Sequence, residues 1–374
     1  MLVLVHEAGH FFTAKIFGIR VDEFGFGFPP KLFGKKIGET EYSLNALPFG
    51  GFVKIFGENF EEADTVDVGF LEKDSKQDFS RSLVNKPKWQ QAMVLFAGIF
   101  ANFLLAWFLF SIGFMSGLPT SVGSEPTGTT LSNVFLTVVS VVPKSPAENA
   151  GLKIGDKIVN VVAIPTTSGL PYPTLFYKDL TPDQLKSFVL TNGDEQIEIN
   201  YLRGEKSHNE FTTVLTPIIN KTNNEPEIGI SMDQIGTAKL PLFSALWQGL
   251  KLNWLMTKNT VMGFWTLISE AVRGHGSLEG ISGPVGMVGI VGDAYQFGFV
   301  YLLSFMALIS INLAIINLIP FPALDGGRLL FLLIEKIKGS RLNPKIANMA
   351  NMIGFSILIL LMLFITYHDV IKLF

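Results

Sequence analysis

The chain alternates long apolar runs with stretches of ordinary polar character. Four runs stand out: Met1 to Ile19, Ala92 to Phe114, Phe297 to Ile319 and Met349 to Thr366. The second, AMVLFAGIFANFLLAWFLFSIGF, has Asn102 as its one strongly polar residue; the third carries Asn312 and Asn317. Crossing a bilayer as a helix takes about 20 apolar residues. The last three runs lack charge over such a length, which predicts membrane spans rather than helices buried in a soluble core. The expected spans are 1–19, 92–117, 297–331 and 349–366. Met1 to Ile19 barely reaches the length, and five residues precede His6. That fits a chain whose natural start lies further upstream.

The segments between these runs follow a different pattern. In the 20–91 region, GETEYSLNALPFGGFVKIFG (Gly38 to Gly57) reads as two short strands around Leu47-Pro48-Phe49-Gly50-Gly51, a β-hairpin at 38–57. Residues 134–220 alternate like strands. TPDQLKSFVLTNG within them predicts a helix with Thr181 as N-cap and Gly193 beyond its end. Residues 240–272 have helical periodicity interrupted by Lys251 and Lys258, which predicts an amphipathic interfacial helix. Residues 281–292 are too glycine-rich for a plain helix and predict a loop.

Lysine and arginine set the orientation. Lys86 and Lys88 precede the second run, and no Lys or Arg occurs from Trp89 to Pro143. Arg328, Lys336, Lys338, Arg341 and Lys345 lie between the third and fourth runs, and Arg20 follows the first. Basic residues gather on the cytoplasmic side. The N-terminus, the 134–220 region and the C-terminus are therefore expected outside the cytoplasm.

Composition narrows the class. Of the 374 residues 48% are hydrophobic and 16% are charged, against about 25% charged in a soluble domain, and mean hydropathy is +0.38. The net charge of −3 gives no case for a nucleic-acid partner. There is no cysteine, which excludes disulfides, cysteine-zinc sites and thiol nucleophiles.

The chemistry-bearing pattern is H-E-x-x-H at His6-Glu7-Ala8-Gly9-His10. On a helix, positions i and i+4 share a face, so His6 and His10 can offer two nitrogens to one Zn2+ with Glu7 beside them. Packed core histidines are the competing reading, but imidazoles without partners in an apolar helix cost a few kcal/mol. A catalytic zinc usually takes three protein ligands. The stretch NLAIINLIPFPALDGGRLLF (Asn312 to Phe331) breaks at Pro320 and Pro322 and presents Asp325 before Gly326-Gly327. Spacing alone leaves Asp325 divided between metal ligand and helix N-cap. His208, His275 and His368 are weaker ligand candidates.

These motifs together resemble the site-2 protease family of intramembrane zinc metalloproteases, in particular its RseP-like branch. The resemblance rests on HEAGH at His6–His10, PFGGFVKIFG at Pro48–Gly57, AGIFANF at Ala97–Phe103, SGP at Ser282–Pro284 and NLIPFPALDGGRLLF at Asn317–Phe331. It implies a mainly α-helical polytopic membrane protein of about four spans, with a cytoplasmic-side membrane-associated β-hairpin and an inserted α+β PDZ domain at 134–220, carried by S-P-A-x-x-A-G-L-x-x-G-D. It implies Asp325 as the third zinc ligand and Glu7 as general base. It implies that the Gly50-Gly51-Phe52 hairpin presents an edge strand to the substrate. Asn102 and Asn317 are candidates to hydrogen-bond an unwound substrate or the zinc ligands, and Pro320 and Pro322 are further candidates for substrate contact. The expected partners are single-span membrane proteins already shortened by a site-1 protease, such as anti-sigma factors or remnant signal peptides. A peptide C-terminus at the PDZ domain and the lipid bilayer of the bacterial cytoplasmic (inner) membrane complete the set. The sequence departs from the family in leaving room for one PDZ domain, and in having Ile99-Phe100 after Gly98 where the family usually has Gly-Pro. A catalytically silent PDZ scaffold and a metal transporter are the alternatives; the full set of catalytic-type residues counts against the first, and the H-E-x-x-H frame with the PDZ domain counts against the second.

Overall fold

The computed structural model describes residues 1–58, 80–126, 128–164, 174–176, 180–204, 210–220, 224–274, 283, 285–287, 291–292 and 298–372. Half of the glycine-rich 281–292 stretch, including Ser282 and Pro284, lies outside the described residues, as do His208 and His275. The chain divides into two units: Met1–Leu109, Leu250–Met287 and Met306–Phe374 form the first, and Phe110–Gly249 with Val288–Phe305 form the second.

In the first unit, helix α1 (Leu2–Ile16) carries the HEAGH motif. It stops where Gly18 adopts φ +65°, and the Phe17, Gly18 and Ile19 amides fold back onto the Thr13, Lys15 and Ala14 carbonyls. A residue in this left-handed conformation satisfies the last carbonyls of a helix, and glycine takes it without strain. Phe11 and Ala14 of α1 then pack with Ile19, Val21, Ile55, Leu83 and Val94 in a buried cluster. Phe11 also meets Phe24 and Tyr42, with ring centroids 5.1 and 6.0 Å apart.

Phe24 and Tyr42 belong to strands β1 (Val21–Ile37) and β2 (Thr40–Ile55). The hairpin is larger than expected, and its turn falls at Gly38-Glu39, with Gly38 at φ +65°. Pro48 to Gly51 lies inside β2. Each long strand doubles back on itself. Val21–Phe26 faces Ile55–Gly51 on one side and Glu41–Leu44 on the other, and Thr40–Asn45 in turn faces Ile37–Lys31. Gly51–Ile55 is therefore outermost in this small sheet.

Helix α2 (Lys88–Ser116) follows a short 3-10 turn at Leu83–Asn85. It runs through both units, as do helices α5 and α6 introduced below. Among the described residues, three helices are long and apolar enough to cross a membrane: Lys88–Ser116, Phe299–Leu318 and Pro344–Ile371. With 15 residues, α1 reaches about 22 Å at 1.5 Å per residue, short of a hydrocarbon core of about 30 Å. It is not one of the three, in contrast to the four spans expected.

The expected third span is two helices. Helix α6 (Phe299–Leu318) ends before Pro320, and helix α7 (Asp325–Lys338) restarts the chain. The break is tight. Ala323 has φ +76°, its amide donates to Asn351 Oδ1, and the Phe321 amide donates to the Ile319 carbonyl. A Cβ at Gly326 would lie 2.3 Å from the Ile319 oxygen, and one at Gly327 would lie 2.2 Å from the Phe321 oxygen. The Gly-Gly pair is thus what lets α7 start directly against the break. Helix α8 (Pro344–Lys372) is longer than the expected 349–366. The most apolar stretch of its span is almost wholly exposed, as suits a lipid-facing helix.

The second unit holds a larger antiparallel sheet. Its strands are β3 (Leu118–Ser121), β4 (Ser132–Val141), β5 (Lys157–Ile164), β6 (Thr174–Phe176), β7 (Gln196–Leu202), β8 (Glu210–Leu215) and, last in sequence, β11 (Ile230–Ala238). The order is β3-β11-β4-β5-β7-β8, with β6 on β5. A two-stranded ribbon, β9 (Ile218–Ile219) and β10 (Pro226–Glu227), precedes β11. The sheet extends beyond the expected 134–220 at both ends. The one-turn helix α3 (Pro146–Asn149) is capped by Ser145. Helix α4 (Pro182–Thr191) begins with a capping box made by Thr181 and Gln184, with Thr181 at the expected position. Leu185, Phe188 and Val189 of α4 enter the core with Leu136, Val138, Ile158, Ile197 and Ile199. Helix α5 (Leu242–Val272) occupies the expected amphipathic segment and leaves Trp247, Trp254 and Trp265 exposed.

Candidate metal centre

Helix α1 presents His6 and His10 on one face, both 6% exposed. The helix can sit deep in the first unit because its face is small. A Cβ at Gly9 would lie 2.3 Å from the Ala97 carbonyl oxygen and 2.9 Å from Ala101 Cβ. The backbones of α1 and α2 thus touch, the kind of close approach that small residues permit between membrane helices. Beside this crossing, a Cβ at Gly98 would lie 2.3 Å from His10 Nε2. Gly98 is the space into which the His10 ring fits.

Asp325 meets these rings at the start of α7. The N-cap position belongs to Leu324, which makes no side-chain cap, so capping is not what Asp325 does. Its Oδ2 lies 2.9 Å from His6 Nε2 and 3.3 Å from His10 Nε2. The two Nε2 atoms are 3.1 Å apart. Among the described residues this is the one group of three or more His, Cys, Asp or Glu side chains that converges on a shared point. Asp325 Oδ2 is buried, yet it accepts no hydrogen bond of acceptable geometry. It sits at contact distance from two nitrogens without an N–H aimed at it. A buried carboxylate oxygen in that position is costly unless a cation completes it.

The donor set tests which cation. Two imidazole nitrogens and one carboxylate oxygen suit zinc. With Zn–N and Zn–O bonds of about 2.0–2.1 Å, two ligands of a tetrahedral site lie about 3.3 Å apart. The triangle of 2.9, 3.1 and 3.3 Å has that size. Three donors leave the fourth position for water, the pattern of catalytic rather than structural zinc.

Glu7 follows His6 on α1 and is within electrostatic reach of His6, His10, Asp325 and Glu58. Glu58 in turn pairs with Arg328, one turn along α7 from Asp325. Arg328 and Glu58 line a cavity of about 160 Å³ together with Lys88, Gln91 and Glu335. Neither Glu58 nor Arg328 was marked as functional by the sequence; their pairing joins positions 270 residues apart.

The other expected residues fall in two groups. Asn102 is fully buried and lies 3.3 Å from the His6 Nδ1 atom. Gly50 and Gly51 lie against the first turn of α1. A Cβ at Gly51 would be 3.4 Å from Leu4 Cδ1, and one at Gly50 would be 3.8 Å from Val3 Cγ1. Phe52 lays its ring over Gly25. Asn317 lies in the last turn of α6, and Pro320 and Pro322 lie in the α6–α7 break. Asn317 is half-buried and has no side-chain hydrogen bond among the described residues. Pro322 packs on Gly354 of α8. His368 lies on α8, apart from the cluster.

Comparison with known proteins decides the class. The profile of Peptidase family M50 matches residues 1–361. The chain belongs to peptidase family M50. A protein of Clostridium perfringens named as a candidate zinc metalloprotease is 36% identical over 371 residues, covering 99% of this chain and 95% of the relative. The zinc metalloprotease RasP of Geobacillus kaustophilus is 29% identical over 438 positions, covering 100% and 96%. The regulator of sigma-E protease RseP of Salmonella typhimurium is 27% identical over 453 positions, covering 99% and 96%. This M50 member is a site-2-type metalloprotease of the membrane, and zinc is its metal.

Proposed function

We propose that His6, His10 and Asp325 hold the zinc ion and that Glu7 is the general base and acid in hydrolysis of a peptide bond within a membrane-spanning segment. The observation that carries this reading is the triangle of Nε2, Nε2 and Oδ2 atoms with its unsatisfied carboxylate oxygen.

The bound ion supplies Lewis acidity and lowers the pKa of a water toward about 7. Glu7 accepts a proton from the water as its oxygen bonds to the carbonyl carbon. Glu7 then donates that proton to the departing nitrogen as the C–N bond breaks. Water and peptide bond become a carboxyl and an amine, so atoms and charge balance. The apolar walls of α1 and α2 around the pair keep bulk water from the site. A peptide bond in a membrane helix is shielded by the helix's own hydrogen bonds, so the substrate must unwind first. The outer strand Gly51–Ile55 supports a role in this step. Gly50, Gly51 and Phe52 can offer main-chain groups to an extended segment, and they lie beside Leu4, one turn before Glu7.

The substrates we propose are single-span membrane proteins already shortened by a site-1 protease, such as anti-sigma factors and remnant signal peptides. The Salmonella typhimurium relative is named regulator of sigma-E protease RseP, which supports this class. The bacterial cytoplasmic membrane is the proposed location, with the sheet-bearing unit extracytoplasmic, as the lysine and arginine distribution implies. We read that sheet with α4 as a single PDZ domain that binds a peptide C-terminus or limits the size of ectodomain admitted. The alignment to RseP runs over 453 positions, more than the chain's 374 residues, so the relative carries sequence that is missing here. That fits one such domain in place of two.

Replacing Glu7 by Gln tests the mechanism. Purified Glu7→Gln protein should keep about one zinc per chain and lose about 10²- to 10⁴-fold in cleavage of a single-span reporter, the usual worth of a general base. Undiminished cleavage would sink it.

A further inference from the structure

Three positions of α2 spaced four residues apart face the two histidines. The Val94 carbonyl oxygen lies 2.8 Å from His10 Nδ1. Gly98 makes room for the His10 ring. The Asn102 amide lies 3.3 Å from His6 Nδ1. Positions i, i+4 and i+8 form one stripe of a helix, so one face of α2 meets both rings from behind.

At His10 the pairing has one solution. A carbonyl oxygen only accepts, so Nδ1 carries the proton and Nε2 keeps its lone pair. At His6 the same requirement fixes the amide. With the Asn102 Nδ2 toward the ring, Nδ1 would have to be bare, and the proton would sit on Nε2, between His10 Nε2 and Asp325 Oδ2. That orientation also leaves Asn102 Oδ1 buried without a partner. An amide turned by 180° has the same shape. It then places Oδ1 to accept from His6 Nδ1–H and leaves His6 Nε2 bare, with Nδ2 taking the oxygen's former place.

We infer that Asn102 is a positioning residue that holds His6, through its side-chain oxygen, in the tautomer whose Nε2 is free to bind metal. This rests on the reading of His6 and His10 as zinc ligands. The side chain is fully buried, and its backbone is anchored by Ser310 Oγ of α6, which donates to the Asn102 carbonyl at 2.9 Å. The chain thus provides both histidines with an acceptor behind Nδ1, one from the backbone and one from a side chain. Ligating histidines commonly donate their second nitrogen in this way, and losing the acceptor costs about 10- to 100-fold in metal affinity.

The test uses the full chain in detergent, with zinc affinity measured by competition with a chromophoric chelator. Asn102→Leu keeps the volume and removes the acceptor. It should bind zinc about 10- to 100-fold more weakly. Asn102→Asp keeps an acceptor and cannot donate when ionised. It should stay within about threefold of the natural protein, since carboxylate–histidine–zinc triads are competent. A merely structural role predicts that Asp, which buries a charge, does worse than Leu. Affinity unchanged in Asn102→Leu, or reduced as much in Asn102→Asp, overturns the inference. Should a variant fail to fold, the natural protein still answers. Long-range ¹H–¹⁵N spectra of ¹⁵N-histidine-labelled, zinc-loaded chain should show His6 with its proton on Nδ1, and a proton on Nε2 overturns the assignment. If the natural protein binds no zinc, the ligand reading itself fails, a result distinct from all of these.

Discussion

Two buried aspartates divide the molecule's two units. Asp156, in the G-D turn of the sheet unit, is fully buried and closed on every side. Arg203 grips it with two hydrogen bonds of 2.7 Å, and the Lys153 amide adds a third at 2.8 Å. Asp325, in the L-D-G turn of the helical unit, faces two imidazole nitrogens and accepts no proper hydrogen bond at Oδ2. Both have leucine and glycine close by, Asp156 after Leu152 and Gly155 and Asp325 between Leu324 and Gly326, and both would be costly if left alone. The difference is that the first is a finished ion pair, while the second, on the proposed reading, is an open set of three zinc ligands. A buried carboxylate therefore indicates function when its partners are donors of lone pairs rather than of protons.

The largest expected effect breaks the open site. Asp325→Ala should release zinc and abolish reporter cleavage, while the helical content by circular dichroism stays. Zinc retained at one per chain in that variant would show the ligand to be elsewhere. Next, Asp156→Ala should leave zinc content unchanged and lower the unfolding free energy by about 3 kcal/mol, near the lower end for a buried pair because Arg203 keeps some contact with solvent. Denaturant unfolding of the full chain measures it; a loss of zinc instead would erase the contrast between the two sites. Smaller again, Gly51→Val would set a side chain against the Gly25 carbonyl and Leu4. It should lower kcat/KM about tenfold through misplacement of the substrate strand, with zinc affinity untouched. Equal kcat/KM in the variant would remove this strand from substrate binding.

The smallest effect concerns the turn between β1 and β2. Glu39 is held down to about 2, first by a hydrogen bond from Arg81 and then by Lys15 at the end of α1. Its ordinary value is 4.5. The stability it contributes is thus complete above about 4.5 and is lost as pH falls through about 2. The groups are partly exposed, so the contribution is under about 1 kcal/mol. Acid titrations of the natural chain and Glu39→Gln, followed by tryptophan fluorescence, should differ above pH 4.5 and converge near pH 2.

Much of the site was legible because it is local. His6, Glu7 and His10 share one helical turn, and Asp325 announces itself as a carboxylate after a proline break. At Asp325 the third dimension was needed, because the placement of Leu324 at the N-cap weighs against the capping role and leaves the ligand role as the proposed one. Asn102 was visible as a polar residue in an apolar run, but its partner lies 96 positions away. The hairpin was misplaced for a physical reason. Pro48, Gly50 and Gly51 have turn chemistry, yet they serve a bend inside β2 and a close approach to α1, while the plainer Gly38-Glu39 makes the turn. Gly98 was legible only as the glycine before the departure at Ile99-Phe100. Its use, as the clearance for His10, depends on how α1 crosses α2.

Zinc-edge X-ray absorption on the purified full chain tests the central claim most directly. The zinc should have light-atom neighbours only, at about 2.0–2.1 Å, with multiple scattering that fits two imidazoles and with one imidazole lost in His10→Ala. A zinc carrying three imidazoles, or a spectrum unchanged in His10→Ala, would contradict it.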